Sequence, residues 1–185
     1  MTQNWGDHCT YCGLALSGEF PRKCDNGHFT FCSPVTVGIA LQPVRTKEGI
    51  AILAVQRNIN PRKGEYALPG GFVDPAELSK PAAVRELFEE TGIRQNIANA
   101  FYFSEATGGS HRETDPRVHN MYFYKMPLLE DIEVDLTFSN EETQSLKLLF
   151  LSRDRTKLQD EKGKETELCF GTHQNAAINF LIQNF

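Results

Sequence analysis

The sequence holds no apolar stretch of membrane-spanning length, no internal repeat and no low-complexity tract. Its opening residues, Met1 to His8, lack the apolar core of a secretory signal, which predicts a cytoplasmic protein with no membrane partner. Basic residues are in the minority, 19 Lys and Arg against 24 Asp and Glu, for a net charge of −5. That deficit excludes a broad nucleic-acid surface, which needs clustered cations. It leaves room for a small nucleotide whose phosphates are neutralised locally. Cysteine is scarce and odd in number, five in 185 residues, four of them before residue 33. An odd, clustered set excludes a secreted disulfide framework and fits a metal site in a reducing compartment. The remaining composition, 40% hydrophobic and 23% charged, is ordinary for a globular chain of one domain with a small appendage.

What is present in excess is local. Arg85-Glu86-Leu87-Phe88-Glu89-Glu90-Thr91-Gly92-Ile93 puts three carboxylates into five positions, ahead of a glycine suited to stop a helix. On a helix Glu86 and Glu90 lie one turn apart with Glu89 beside them, while Val84, Leu87, Phe88 and Thr91 form the packing stripe. Like charges at that spacing repel unless neutralised, and an all-oxygen cluster calls for a hard cation, Mg²⁺ or Mn²⁺. Arg85 is placed to orient a carboxylate four residues on, and Glu77 is its expected partner. Ser79 is the expected N-cap of this helix, with Pro81 in its first turn.

With Gly71 and Glu77 upstream, the run reads Gly-x5-Glu-x7-Arg-Glu-(apolar)-x-Glu-Glu-x-Gly-(apolar), every fixed position filled. The chain therefore resembles the Nudix hydrolases. The resemblance implies an α/β fold, a Nudix α/β/α sandwich with a mixed sheet. It implies attack of water on the pyrophosphate of a nucleoside diphosphate linked to another group. Ions would be held by Glu86, Glu89 and Glu90 with the main-chain carbonyl of Gly70. The base is left open between Glu89 and the downstream Glu141-Glu142. Ser139-Asn140-Glu141-Glu142 equally fits a capping box opening a short helix.

The segment from Gly108 to His119 collects two arginines and two histidines in a net acidic chain. Asp115-Pro116-Arg117 resembles an element of ADP-ribose pyrophosphatase-like members, with Thr114 where they have a first arginine. Arg112, Asp115 and Arg117, together with Arg57, are the substrate-binding candidates, the arginines as permanently charged phosphate donors. ADP-ribose or a nucleotide sugar is the substrate so implied, NADH the alternative, and a non-catalytic ADP-ribose sensor the rival. Dimers are frequent in the resembling families, so a homodimer is one expectation.

Cys9-Thr-Tyr-Cys12-Gly13 is a knuckle, followed by Cys24, with His28 favoured over Cys32 as fourth ligand of a structural Zn²⁺. The stretch resembles the zinc ribbon preceding some Nudix domains, which divides the chain into residues 1–33 and 34–185. Further along, 35–41 and 50–55 read as a hairpin, and 100–104, 120–126 and 146–151 as strands. Residues 154–165 read as a mobile charged loop and 173–185 as a closing helix, with Cys169 a small core residue and His173 a satisfied polar one.

Overall fold

The structure is a computed structural model, and residues 6–109 and 117–185 are described. It divides into two compact units, Met1–Val35 with Thr107–Asn120, and Thr36–Ala106 with Met121–Phe185. The smaller has a two-stranded antiparallel pair, β1 (Arg22–Lys23) and β2 (Phe29–Thr30). Arg22 ties it together, donating to the Gly6 carbonyl and lying over the Phe20 ring.

The strands that follow are β3 (Val35–Leu41), β4 (Pro43–Thr46), β5 (Gly49–Arg57), β6 (Tyr66–Ala67) and β7 (Gly70–Phe72). Helix α1 (Ser79–Thr91) precedes β8 (Phe101–Gly109), β9 (Val118–Lys125), β10 (Leu129–Glu130), β11 (Thr143–Leu151) and β12 (Leu158–Gln159), and α2 (Gly171–Asn184) closes the chain. One sheet runs β10-β4-β5-β11-β12 with β6 on β5, and the other β7-β3-β9-β8. The first is mixed, since β10 lies parallel to β4 and β11 antiparallel to β5. No helix of the described residues is long and apolar enough to cross a membrane.

Strand alternation sends neighbours to opposite faces. Ile39, Leu41, Ile52 and Ala54 join Ala177, Phe180 and Leu181 of α2 in one core. Ala40, Leu53 and Val55 join Ala83 and Leu87 of α1 in another. Two helical layers thus enclose the strands, the α/β/α arrangement expected.

Three local expectations are corrected. The hairpin partner of β5 is β4, registered Thr46↔Gly49 and Pro43↔Ile52, while β3 belongs to the other sheet. The switch falls at Gln42, fully buried, whose amide donates to the carbonyls of Pro43 and Pro127. Leu78, not Ser79, stands at the N-cap position of α1, and the Ser79 hydroxyl instead meets the Tyr124 hydroxyl at 2.8 Å. The charged stretch after Asp154 is not all loop: it contains β12, and Asp160 closes a turn by accepting from the Lys162 and Lys164 amides.

Gly38 is what lets α1 sit on β3. A Cβ there would lie 2.3 Å from the Ser79 carbonyl oxygen and 2.7 Å from the Ala83 nitrogen, both helix backbone that cannot swing aside. Gly38→Ala is expected to lower stability by about 3 kcal/mol, the upper end of overpacking costs. Denaturant melts check it, and an unchanged midpoint would refute the close approach.

Candidate functional site

Helix α1 ends where its sequence says it should, at Gly92 in the left-handed region (φ 73°), with the cap N–H on the Phe88 carbonyl. Its inward face carries Ala82, Ala83, Glu86, Leu87, Glu90 and Thr91, so two of the three acids share the buried side with Leu87 and Thr91, while Phe88 of the expected stripe is exposed. The Glu90 carboxylate accepts from the Gly70 N–H at 2.9 Å. Glu86 lies against Gly71, where a Cβ would come within 2.4 Å of a carboxylate oxygen. The glycine pair that enters the motif therefore gives the backbone access to the acids.

Glu142 joins them from the loop ahead of β11. Oxygens of Glu86, Glu90 and Glu142 all lie within 4.8 Å of one another. That loop is no helix, which removes the capping-box alternative for Ser139–Glu142. Instead the Asn140 side chain accepts from the Glu142 and Thr143 amides and donates to the Glu89 carbonyl, binding the loop to the end of α1. Glu89, Asn140, Glu141 and Glu142 line one cleft.

Arg85 organises the remaining carboxylates. It makes a two-point fork to Glu77 at 3.1 and 2.9 Å, and Nη1 donates to Glu86 and Glu89 at 2.8 Å each. A further bond from Nη2 to the Phe72 carbonyl ties it to β7. Glu89 is exposed and turned to Arg85, outside the Glu86–Glu90–Glu142 group. Arg57, at the end of β5 beside Thr143, donates to the Pro61 carbonyl and lies over the Phe170 ring. Arg112 and Asp115 lie outside the described residues, and Arg117 belongs to the smaller unit.

The electrostatics separate these acids by environment. Hydrogen bonds from Arg85 hold Glu77 below the usual carboxylate range. Burial pushes Glu86 up against the opposing pull of Arg85. Burial also raises Glu90, to about 8, with Glu86 and Glu142 adding repulsion and the Gly70 N–H countering. Three acids converging in partial burial are costly without a cation. The donor set, all oxygen and closely spaced, fits a hard divalent ion, whose ligand oxygens stand about 3 to 4 Å apart at Mg–O distances near 2.1 Å.

A second cluster lies in the smaller unit. Sγ of Cys9, Cys12 and Cys24 and a ring nitrogen of His28 lie within 4.8 Å of one another. Cys12–Cys24 measures 3.7 Å, Cys9–His28 3.8 Å and Cys24–His28 3.6 Å. The edge of a tetrahedron with Zn–S bonds of about 2.3 Å is about 3.8 Å, close to these three separations, so the spacing fits a tetrahedral zinc site. Gly13 and Gly27 adopt positive φ (73° and 84°) and return their N–H groups to the Cys9 and Cys24 carbonyls, shaping two turns around the cluster. Burial works against the Cys9 thiolate, but the N–H groups of Tyr11 and Cys12 together with the Cys12 and Cys24 thiols bring the thiol down to about 6. Cys32 is outside the group.

Other residues of the larger site escaped the motif. The sequence marked Glu142 as a possible base without showing that it meets Glu86 and Glu90. Gly38, Asn140 and Phe170 carried no signal of their own. His173 is buried and satisfied as expected, while Cys169 is only half-buried, with burial pushing its thiol up to about 11.

Residues 33–168 match the family model for the NUDIX domain. An ADP-ribose pyrophosphatase from Methanocaldococcus jannaschii is 38% identical over 84 residues, 43% of this chain and 47% of the relative. A Haemophilus influenzae protein named NAD-capped RNA hydrolase NudC is 33% identical over 99 residues, 51% of this chain and 36% of the relative. Both alignments thus span less than half the length of the relative. A solved NUDIX hydrolase structure from Nitrosomonas europaea superposes with a TM-score of 0.62 at 17% identity, covering 96% of this chain and 92% of that one, which shows the fold.

Proposed function

The chain belongs to the Nudix family, and we propose that it hydrolyses the pyrophosphate bond of a nucleoside diphosphate linked to another group, with ADP-ribose as the leading substrate. The observation that carries the reading is the convergence of the buried Glu86 and Glu90 with the exposed Glu142 beside the Gly70–Gly71 turn, an oxygen site with an open cleft at its edge.

Bound Mg²⁺ or Mn²⁺ would supply charge neutralisation for two adjacent phosphates and a more acidic water. Glu86, Glu90 and Glu142 would hold that ion with the Gly70 carbonyl, and Glu89, anchored by Arg85, would serve from the exposed side. Glu77 keeps the guanidinium in place, so the pair fixes the spacing of the acids rather than meeting substrate. Arg57 is assigned to the phosphates, with Arg112, Asp115 and Arg117 completing recognition. Water attacks phosphorus, its proton passes to a carboxylate of the cleft (Glu89, Glu141 or Glu142), and the bridging P–O bond breaks to release two phosphomonoesters. ADP-ribose is favoured by the M. jannaschii relative's name and by the Asp115-Pro116-Arg117 element. Residues 1–33 are assigned to a structural zinc ribbon and 34–185 to the hydrolase domain, in a cytoplasmic setting that keeps the thiols reduced.

The test is turnover of ADP-ribose, NADH, nucleotide sugars and nucleoside triphosphates with Mg²⁺. Release of AMP from ADP-ribose in preference to the others is the expected result. Preference for NADH would move the assignment to dinucleotides. Inertness to all of them, with tight ADP-ribose binding, would replace the enzyme by a sensor.

A further inference from the structure

The first turn of α2 is attached to the active-site rim at two points that the hydrolytic reading leaves without a role. The buried His173 accepts the Leu68 N–H on Nδ1 at 3.2 Å. Leu68 is two residues before Gly70, whose own N–H binds Glu90. Phe170, immediately ahead of the helix, places its ring 5.0 Å from the His173 ring, and the Arg57 guanidinium carbon stands 5.5 Å from the centre of the same Phe170 ring. Phe123 braces the far edge of His173 at 5.9 Å. The segment before the helix is bonded to β6, just ahead of Leu68, since the Cys169 N–H donates to the Tyr66 carbonyl at 2.7 Å.

These contacts form one connected path: Arg57, Phe170, His173, Leu68, and through the backbone to Gly70 and Glu90. A flexible arginine at the end of a strand has many rotamers, and an aromatic face selects among them while leaving the charge available to an anion. A buried backbone N–H must have an acceptor, and here that acceptor is a side chain 105 residues away.

We propose that Phe170 and His173 are positioning residues of this site, Phe170 holding the Arg57 guanidinium for the substrate phosphates and His173 fixing both Phe170 and the Leu68–Gly70 backbone. The inference rests on the pyrophosphatase reading above, with Arg57 as a phosphate contact.

Steady-state kinetics with ADP-ribose and Mg²⁺ test it. Phe170→Leu is expected to raise KM about fivefold with kcat within about twofold, and Arg57→Met to raise KM about tenfold. In the Arg57→Met background, Phe170→Leu should then add nothing, because its effect runs through the arginine. Two independent, multiplying effects would overturn the role of Phe170. For His173, Mn²⁺ affinity is the second readout. His173→Leu leaves the Leu68 N–H without an acceptor and is expected to weaken Mn²⁺ binding about tenfold. His173→Asn, whose amide oxygen reaches the Nδ1 position, restores most of it. His173→Gln, whose oxygen falls at the Nε2 position, does not, and this pair carries the comparison where the Leu variant fails to fold. Equal behaviour of Asn and Gln would overturn the role of His173. A wild-type protein inert towards ADP-ribose would remove the premise and the inference together, whereas an active one with multiplying effects removes the inference alone.

Discussion

Glu90→Gln is expected to lower turnover at saturating Mg²⁺ by about a thousandfold or more while leaving the fold intact. The two halves of that expectation come from one environment. Glu90 is 6% exposed, and its carboxylate accepts from the Gly70 N–H. Glutamine keeps an oxygen for that bond and nearly the same volume, so packing is preserved. What it loses is the negative charge that a divalent ion needs. In metal-free protein that charge is a liability, since burial raises the Glu90 carboxyl from 4.5 to about 8.

The sign of the pH dependence follows. An acid whose folded pKa lies above its unfolded value binds its proton more tightly when folded. Its contribution to stability is complete below about pH 4.5 and is lost as pH rises through about 8. Thermal melts in chelator should show the parent losing stability across that window, with a flatter profile for Glu90→Gln. Added Mg²⁺ should stabilise the parent increasingly towards pH 8, because only the ionised carboxylate binds it. Undiminished turnover of the Gln variant in saturating metal would remove Glu90 from the ligand set.

The sequence announced α1 and its acids because a helix converts spacing into a face. Glu86 and Glu90 had to share a side with each other, and Gly92 had to end the helix. Even so, spacing grouped Glu89 with them, whereas the structure turns Glu89 to Arg85 and brings Glu142 in from more than fifty residues away. Meetings of that kind depend on the β5–β11 pairing, registered Thr143↔Arg57, which local pattern does not encode. The misread hairpin has a similar cause. Val35–Leu41 and Ile50–Val55 have the right composition and separation, but the chain changes sheets at Gln42. A polar residue there is informative only once its burial and its bonds to Pro43 and Pro127 are seen. Ser79 looked like a cap because serine usually serves that purpose, yet its hydroxyl is taken by Tyr124 on another element. Arg112 and Asp115 stand as sequence-based assignments, lying outside the described residues.

In the smaller unit the expected result is one zinc per chain, lost on replacing Cys9 and Cys12 with serine. A large effect is expected because little of this segment is buried apart from the cluster. Among residues 6–35 the buried ones are Cys9, Cys24 and Thr30, so two of the three are proposed ligands. Its regular structure is a pair of two-residue strands, below the size at which a hairpin is stable alone. A structural zinc site contributes about 10–16 kcal/mol of binding free energy to folding in comparable small modules, far more than such a core supplies. Zinc loss should therefore expose the first 35 residues to limited proteolysis. His28→Ala should release the metal as the cysteine pair does. Cys32→Ser should retain it, since Cys32 stands apart from the four converging atoms. Zinc retained by His28→Ala but lost from Cys32→Ser would transfer the fourth ligand to Cys32. Native protein purified with zinc available yet containing none would leave the cluster as reduced thiols and remove the metal from the account of how this segment folds.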